Sequence, residues 1–174
     1  KKNNPDLKVV VIDPRRTATC DPADLHLAIR PGTDTTLFNA LLAYLDETGA
    51  LDLAFIEDHT EQFAETLEAA SQAVDGFEAL AEITDTDLDD LQTFFEWFRD
   101  TDRTVTFYSQ GVNQSKDGTD KANSIINLHL ATGRIGKPGA CPLSITGQPN
   151  AMGGREVGGL ANQLAAHMDF DQAD

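Results

Sequence analysis

The sequence has few cysteines and no long apolar run, and both shortages limit what the protein can be. Its 174 residues include two cysteines, Cys20 and Cys141, whose spacing fits no metal-ligand motif. Two widely separated cysteines are more typical of reduced thiols in a cytoplasmic protein than of a disulfide framework. A single disulfide between them is the alternative. No apolar stretch approaches the roughly 20 residues that a membrane helix needs. We therefore expect a cytoplasmic protein without membrane insertion.

Other familiar signals are missing as well. Residues 1–5 contain neither methionine nor a signal-type apolar stretch, and an apolar run follows at once at residues 9–12, so we expect an internal fragment of a longer protein. Neither a Gly-x-Gly-x-x-Gly fingerprint nor a Walker loop occurs, so ordinary dinucleotide and ATP sites lack their signals. The four histidines are too scattered for a zinc motif.

Basic residues are scarce in the middle of the chain. Residues 46–102 carry eighteen Asp and Glu against one base, Arg99, whereas both flanking parts are nearly neutral, and the net charge is -16. A solvated helical face explains this acidity, and an acidic partner-binding surface is the alternative. We expect no nucleic-acid partner for so acidic a chain, but its nearly neutral flanks would not repel an anionic nucleotide.

Predicted strands alternate with predicted helices. Apolar, β-branched runs predict buried strands at residues 8–12, 25–29 and 104–108. Apolar residues at helical spacing predict helices over residues 35–45, 51–57, 61–72 with Thr60 as cap, a helix opened by Thr84 or Thr86 that runs through Phe98, and residues 120–132. This order predicts an α/β fold, with a Rossmann-like, mostly parallel sheet that carries helices on both faces, in one domain over residues 1–174.

Hydrogen-bonding residues follow each predicted strand, where α/β sheets bind ligands. The Asp13 carboxylate suits the hydroxyls of a ribose or the N–H groups of guanine, and Arg15 and Arg16 suit phosphate. The turn at residues 31–34 offers helix-start amides to an anion or a purine edge. Both have a structural alternative, because Asp-Pro-Arg is common turn punctuation and Asp34 can simply cap its helix. The third position is residues 110–118.

A glycine-rich segment closes the chain. Residues 133–159 hold eight of the thirteen glycines and three of the seven prolines, mixed with apolar and hydrogen-bonding side chains. Such a mixture predicts a long ordered loop that approaches a large ligand closely, rather than a flexible linker.

These motifs together resemble a known family. Val11-Ile12-Asp13-Pro14-Arg15-Arg16-Thr17 and Pro31-Gly32-Thr33-Asp34 resemble the guanine dinucleotide-binding domain of molybdopterin oxidoreductases. Tyr108-Ser109-Gln110-Gly111-Val112-Asn113-Gln114 and Thr146-Gly147-Gln148-Pro149-Asn150-Ala151-Met152-Gly153-Gly154-Arg155-Glu156-Val157-Gly158 resemble bacterial nitrate reductases of the assimilatory and periplasmic group. The resemblance covers almost the whole chain and implies that it is a fragment of a larger molybdoenzyme.

The resemblance implies a parent enzyme that reduces nitrate to nitrite at molybdenum bis(molybdopterin guanine dinucleotide). Electrons would arrive from an electron-donor protein through an iron-sulfur cluster whose cysteines, like the molybdenum-ligating residue, lie outside this chain, so the fragment alone is expected to be inactive. The missing N- and C-terminal domains of the same polypeptide would be its partners. The cofactor-binding residues that it implies are Asp13, Pro14, Arg15, Arg16, Thr17, Gly32, Thr33, Asp34, Gln110 and Gln114.

Other positions depart from the family pattern or stay open. The family motif at Gln148, Arg155 and Glu156 lines the pocket region, but the Arg-Glu pair equally suits a lock for the long loop. Gln110 stands where methionine is usual, and residues 115–118 lack the arginine of periplasmic members, which favours the cytoplasmic assimilatory branch; Lys116 is a candidate replacement. The alternatives are another bis-molybdopterin oxidoreductase, such as a formate dehydrogenase, or a non-catalytic nucleotide-binding module.

Overall fold

The computed structural model of the chain describes residues 1–148, 150–159 and 164–172. These residues form an α/β arrangement, which confirms the predicted class. The strands are β1 (Val10–Ile12), β2 (Leu25–Leu27), β3 (Val105–Tyr108) and β4 (Cys141–Ser144). The helices are α1 (Asp34–Glu47), α2 (Leu53–His59), α3 (Phe63–Ser71), α4 (Gly76–Thr84), α5 (Leu88–Asp100), α6 (Gln110–Asn113), α7 (Gly118–Ala131) and α8 (Ala151–Glu156), with 3₁₀ turns at Ala18–Cys20, Ala165–His167 and Phe170–Gln172.

The strands are parallel, as predicted, and the described residues arrange them in two separate pairs. β1 pairs with β2 from Val10 opposite Leu25 to Ile12 opposite Leu27. β3 pairs with β4 from Val105 opposite Cys141 to Tyr108 opposite Ser144. Each pair therefore presents its own carboxyl edge, where its two following loops leave side by side.

The core lies between the helices and the inner faces of the strands. Helices α1 and α7 pack against each other, and α5 contacts both α1 and β2. The aromatic stripe of α5 is buried at Phe94, Phe95 and Phe98, as its helical spacing predicted, whereas Trp97 is only partly buried. Both cysteines are free thiols, Cys20 buried and Cys141 half-buried.

Several helix boundaries differ from the predictions. Thr60 does not open a helix: it ends α2, and its hydroxyl donates to the Ile56 carbonyl at 2.7 Å. Thr84 likewise ends α4, a helix that the sequence did not predict, and its buried hydroxyl donates to the Leu80 carbonyl at 2.7 Å. The side chain that caps α5 is Asp87, which accepts from the backbone N–H groups of Asp89 and Asp90. A threonine hydroxyl can donate to a carbonyl in the last turn of a helix as readily as it can cap the first turn. The residue type alone therefore did not distinguish helix starts from helix ends.

The glycine-rich segment is not a loop throughout. It contains β4 and α8, and the Cys141 backbone N–H joins it to β3 by donating to the Thr104 carbonyl at 3.1 Å. No helix in the described ranges has both the length and the apolar content to cross a membrane.

Candidate functional site

The first loop cluster consists of residues 13–17 and residues 30–34, at the carboxyl edge of β1 and β2. The Asp13 backbone N–H extends the ladder by donating to the Leu27 carbonyl at 3.2 Å. The His26 Nε2 atom in β2 lies 2.9 Å from the carbonyl oxygen of Asp13, which directly follows β1, so this contact joins the two strands at their carboxyl edge. The structure therefore brings the first two predicted site segments to one edge, because both follow strands of the same parallel pair.

Residues 13–17 form a turn in which the side chains of Arg15 and Arg16 are exposed to solvent. Asp13 Oδ1 accepts from the Arg15 backbone N–H at 2.7 Å, and Pro14 sits between them. Arg15 and Arg16 are exposed, and no ion pair to either is found in the described parts of the chain. Thr17 precedes the turn Ala18–Cys20 without a side-chain capping bond. Two guanidinium groups are thus available to an anionic ligand.

The second segment of the cluster leads into α1. Gly32 has a φ of +93°, and a Cβ added there would meet no heavy atom within 4 Å, so the turn requires glycine while its surface stays open. The Thr33 hydroxyl donates to the Arg30 carbonyl at 2.7 Å. Helix α1 then begins at Asp34, and its first N–H groups lack intrahelical acceptors.

Asp34 has a partner that the sequence analysis missed. Its Oδ2 atom lies 2.7 Å from Nζ of Lys121, whose side chain is only 8% exposed, against 21% for Asp34. The N-cap position of α1 belongs to Thr33 and Asp34 is the first residue inside the helix, so Asp34 does not occupy the capping position that the alternative gave it. A signal was present in the sequence: Lys121 shares a helical stripe with the buried Ile125 and Leu128, and a lysine on such a stripe needs an acidic partner.

The second loop cluster consists of residues 109–114 and residues 144–148, at the carboxyl edge of β3 and β4. The Ile145 backbone N–H donates to the Tyr108 carbonyl at 2.7 Å, and the Ser109 hydroxyl donates to the Ile145 carbonyl. Asn113 Nδ2 donates to Ser144 Oγ at 2.9 Å. These bonds attach the glycine-rich segment to α6.

Both predicted glutamines lie in or beside α6. Gln110 is its first residue, and its Nε2 atom is 3.8 Å from the position of a Cβ added to Gly147. Gln114 follows the helix and is exposed, as is Gln110. Arg155 and Glu156 are exposed neighbours at the end of α8. No hydrogen bond or ion pair found among the described residues joins the two loop clusters directly; the Asp34–Lys121 pair links the helices that follow them.

Two buried polar side chains, His129 and Arg134, form hydrogen bonds next to the strand that leads into the second loop cluster. His129 Nε2 lies 2.8 Å from Thr106 Oγ1 in the middle of β3. Burial, helped by the nearby Arg134 charge, lowers the pKa of His129 to about 4, so the ring is neutral. Arg134 Nη2 donates to the carbonyls of Phe98 and Thr101, which end α5, and burial lowers its pKa to about 10. Together they tie β3 to α5 and α7.

The fold and its loops define an α/β protein whose hydrogen-bonding segments stand at the carboxyl ends of parallel strands, the usual ligand position of this class. Residues 1–172 match the family model of the molybdopterin oxidoreductases, and the chain belongs to that family. This confirms the resemblance described from the motifs.

Individual relatives agree with this assignment. The chain is 47% identical over its whole length to a protein named nitrate reductase from Klebsiella oxytoca and 49% identical to one from Shewanella frigidimarina, of which it covers 19% and 18%. The chain thus spans about a fifth of the length of these relatives. Acetylene hydratase from Pelobacter acetylenicus has a similar fold, with a TM-score of 0.69 over 76% of this chain and 18% of that structure at 23% identity.

Proposed function

We propose that the chain is part of the catalytic subunit of a molybdenum-dependent nitrate reductase, which converts nitrate to nitrite. The observation that carries the proposal is identity of 47% and 49%, over the entire chain, to two proteins with that name. This chain contributes cofactor-nucleotide binding and part of the molybdenum pocket. The fragment alone is expected to be inactive, because the molybdenum-ligating residue and the cluster cysteines lie elsewhere in the parent.

The cofactor in this proposal is molybdenum bis(molybdopterin guanine dinucleotide). When bound, it supplies the two electrons that convert nitrate and two protons to nitrite and water. Residues of the first loop cluster fit its nucleotide end, because an ionised carboxylate accepts the paired N–H donors of guanine and guanidinium groups bind phosphate. Asp34 Oδ1 supports this fit, since no hydrogen bond to it is found in the part of the chain that the structure describes.

The residues divide by the part of the cofactor that they would hold. Asp13, Pro14, Arg15, Arg16 and Thr17 contact the nucleotide end of one cofactor, and Gly32, Thr33 and Asp34 bind its guanosine. Gln110 and Gln114 approach the pterin and the molybdenum pocket. An electron-donor protein would deliver electrons through an iron-sulfur cluster in the rest of the polypeptide, and we place the enzyme in the cytoplasm, in the assimilatory branch.

The test uses the purified full-length parent protein. Molybdenum is measured by mass spectrometry, and nitrite formation from nitrate is followed with reduced viologen as electron donor. Stoichiometric molybdenum with nitrite formation is the expected result. Molybdenum together with formate oxidation and no nitrite would instead indicate a formate dehydrogenase. A protein without molybdenum from cells that make the cofactor would indicate a non-catalytic nucleotide-binding module.

Lys116 gives a local test of the nitrate pocket. It is exposed and lies between α6 and α7, beside Gln114, where the arginine of periplasmic members is absent. If Lys116 attracts nitrate, Lys116→Ala raises KM for nitrate and leaves kcat nearly unchanged. Lys2→Ala, an exposed lysine at the other end of the chain, serves as control. An unchanged KM in Lys116→Ala would reject the role.

A further inference from the structure

We propose that Lys121 is a positioning residue that holds the Asp34 carboxylate in place for the guanine edge of the cofactor. The inference rests on the proposed function and deepens it, because it assigns a task to a residue outside the loops. Lys121 itself lies beneath the first loop cluster and is not placed in contact with the ligand.

The burial of the pair is the first argument. Exposed lysine-aspartate pairs contribute little, but the Lys121 side chain is 8% exposed and its ammonium lies 2.7 Å from Asp34 Oδ2. Water cannot fully solvate this ammonium, so the carboxylate acts as its counter-charge. The carboxylate in turn loses rotational freedom, because moving it away would leave a buried cation without its counter-charge.

The geometry of the carboxylate is the second argument. Lys121 engages Oδ2, whereas no hydrogen bond to Oδ1 is found within the described ranges. A carboxylate has only acceptor atoms, which match the paired N–H donors of guanine. An acceptor that is already oriented loses less entropy when it binds, so the ion pair should strengthen nucleotide binding.

The position of Lys121 in the chain is the third argument. It lies near the start of α7, which follows residues 109–114 of the second loop cluster after a three-residue connection. The start of α7 is closely packed, since a Cβ added to Gly118 would lie 2.6 Å from the Asn113 carbonyl oxygen. The Asp34–Lys121 pair therefore couples the guanosine-binding turn to the segment that holds Gln110 and Gln114.

Cofactor retention in the purified full-length protein tests the proposal without relying on activity. Wild type, Lys121→Met and Lys121→Arg are incubated in sub-denaturing urea and desalted, and the guanine nucleotide released by acid hydrolysis is counted per polypeptide. Circular dichroism of the same samples reports folding. The matched control is Lys137→Met, which removes an exposed lysine that lies 3.8 Å from Asp52, just beyond the other end of α7.

We expect Lys121→Met to lose guanine nucleotide about ten times faster than wild type while it remains folded, the scale of one misaligned charge-assisted hydrogen bond. Lys121→Arg, which keeps the charge, and Lys137→Met should remain near wild type. If Lys121→Met does not fold, Lys121→Gln, which keeps a donor without the charge, is expected to show the same faster release.

Two results would overturn the proposal. Wild-type release rates in the folded uncharged variants would show that Asp34 needs no support, and equal acceleration in Lys137→Met would show a general effect of lost lysines. Wild-type protein that contains no guanine nucleotide would instead contradict the proposed function, so the two failures are distinguishable.

Discussion

At the scale of single residues, Gly133 shows how tightly the end of α7 is built. Its φ is +57°, and a Cβ added there would overlap the Asp52 carboxylate. That carboxylate cannot withdraw freely, because its Oδ1 atom accepts from the Phe55 N–H at 3.0 Å and caps α2. We expect Gly133→Ala to cost about 2–3 kcal/mol, as the sum of left-handed strain and displacement of the cap.

The matched control for Gly133 is Gly49. It also has a positive φ, +67°, but a Cβ added there would meet no heavy atom within 4 Å. Gly49→Ala should therefore cost only the backbone term, about 1 kcal/mol. Hydrogen exchange of peptides from α2 and α7 measures both variants; equal effects would show that the approach to Asp52 adds nothing.

His129 makes stability depend on pH. Its pKa is about 4 in the folded protein because it is buried, against an ordinary value of 6.5. As pH falls from about 6.5 to about 4, His129 is protonated in the unfolded chain but stays neutral in the folded one. The free energy of unfolding therefore decreases over this pH range. Above pH 6.5 this contribution is fully present. The total loss below pH 4 is about 3 kcal/mol, from the difference between the two pKa values.

Replacement of His129 separates this effect from the titration of carboxylates. His129→Gln places an amide near Thr106 without a titratable group, so its urea midpoint should change less than that of wild type between pH 7.5 and pH 4.5. Identical slopes for the two proteins across this range would mean that His129 takes up its proton without cost in the folded state.

At the scale of elements, the start of α5 depends on one carboxylate. Asp87 Oδ1 accepts from the backbone N–H groups of Asp89 at 2.9 Å and Asp90 at 3.3 Å. We expect Asp87→Ala to cost about 1 kcal/mol, the usual contribution of such a cap, and Asp87→Asn to retain most of it. Asp75 precedes α4 without a side-chain capping bond, so Asp75→Ala is the control. Hydrogen exchange at the first turn of α5 measures the loss, and a cost as large in Asp75→Ala would contradict the capping argument.

Elements with a strong local pattern were predictable from the sequence, and the others were not. β1 and β3 come from β-branched runs, and α5 from an aromatic stripe. β4 was missed because Cys-Pro-Leu-Ser has little strand propensity; pairing with β3 stabilises it instead. α4 was missed because it begins at Gly76, a poor helix former, and the division into two strand pairs depends on distant contacts that no local pattern encodes.

The candidate site divides in the same way. The loops after β1, β2 and β3 were predictable because ligand segments follow parallel strands. The Asp34–Lys121 pair and the Asn113–Ser144 bond were not, since each joins residues far apart in sequence. The cofactor roles of the ten predicted residues stay predictions that depend on the family resemblance.

At the scale of the whole molecule, the acidic middle of the chain faces solvent. Of the eighteen acids in residues 46–102, sixteen are exposed, and Asp52 and Asp90 are half-buried. Their exposure fits the solvated-face interpretation, because hydrated carboxylates keep a protein soluble at little cost in stability.

The β3–β4 pair presents a different surface, which is apolar and open. Val105, Phe107, Leu143 and Ile145 are exposed on one face, with Phe107 at 62%, while α6 and α7 contact this strand pair. Parallel sheets are normally covered on both faces. Relatives about five times longer than this chain leave ample polypeptide to cover it, so we expect the rest of the parent chain to pack on Phe107.

Substitution in the full-length protein tests this expectation. If Phe107 is covered, Phe107→Ser loses about 2–3 kcal/mol of apolar burial and lowers the thermal midpoint. Leu53→Ser, which changes a 70% exposed side chain at the start of α2, should stay within about 0.5 kcal/mol of wild type. Hydroxyl-radical labelling gives a second measure, because a covered Phe107 is oxidised slowly at any protein concentration. Protection that appears only at high concentration would indicate a second copy of the protein, and oxidation at the rate of a free phenylalanine would show that this face stays in water.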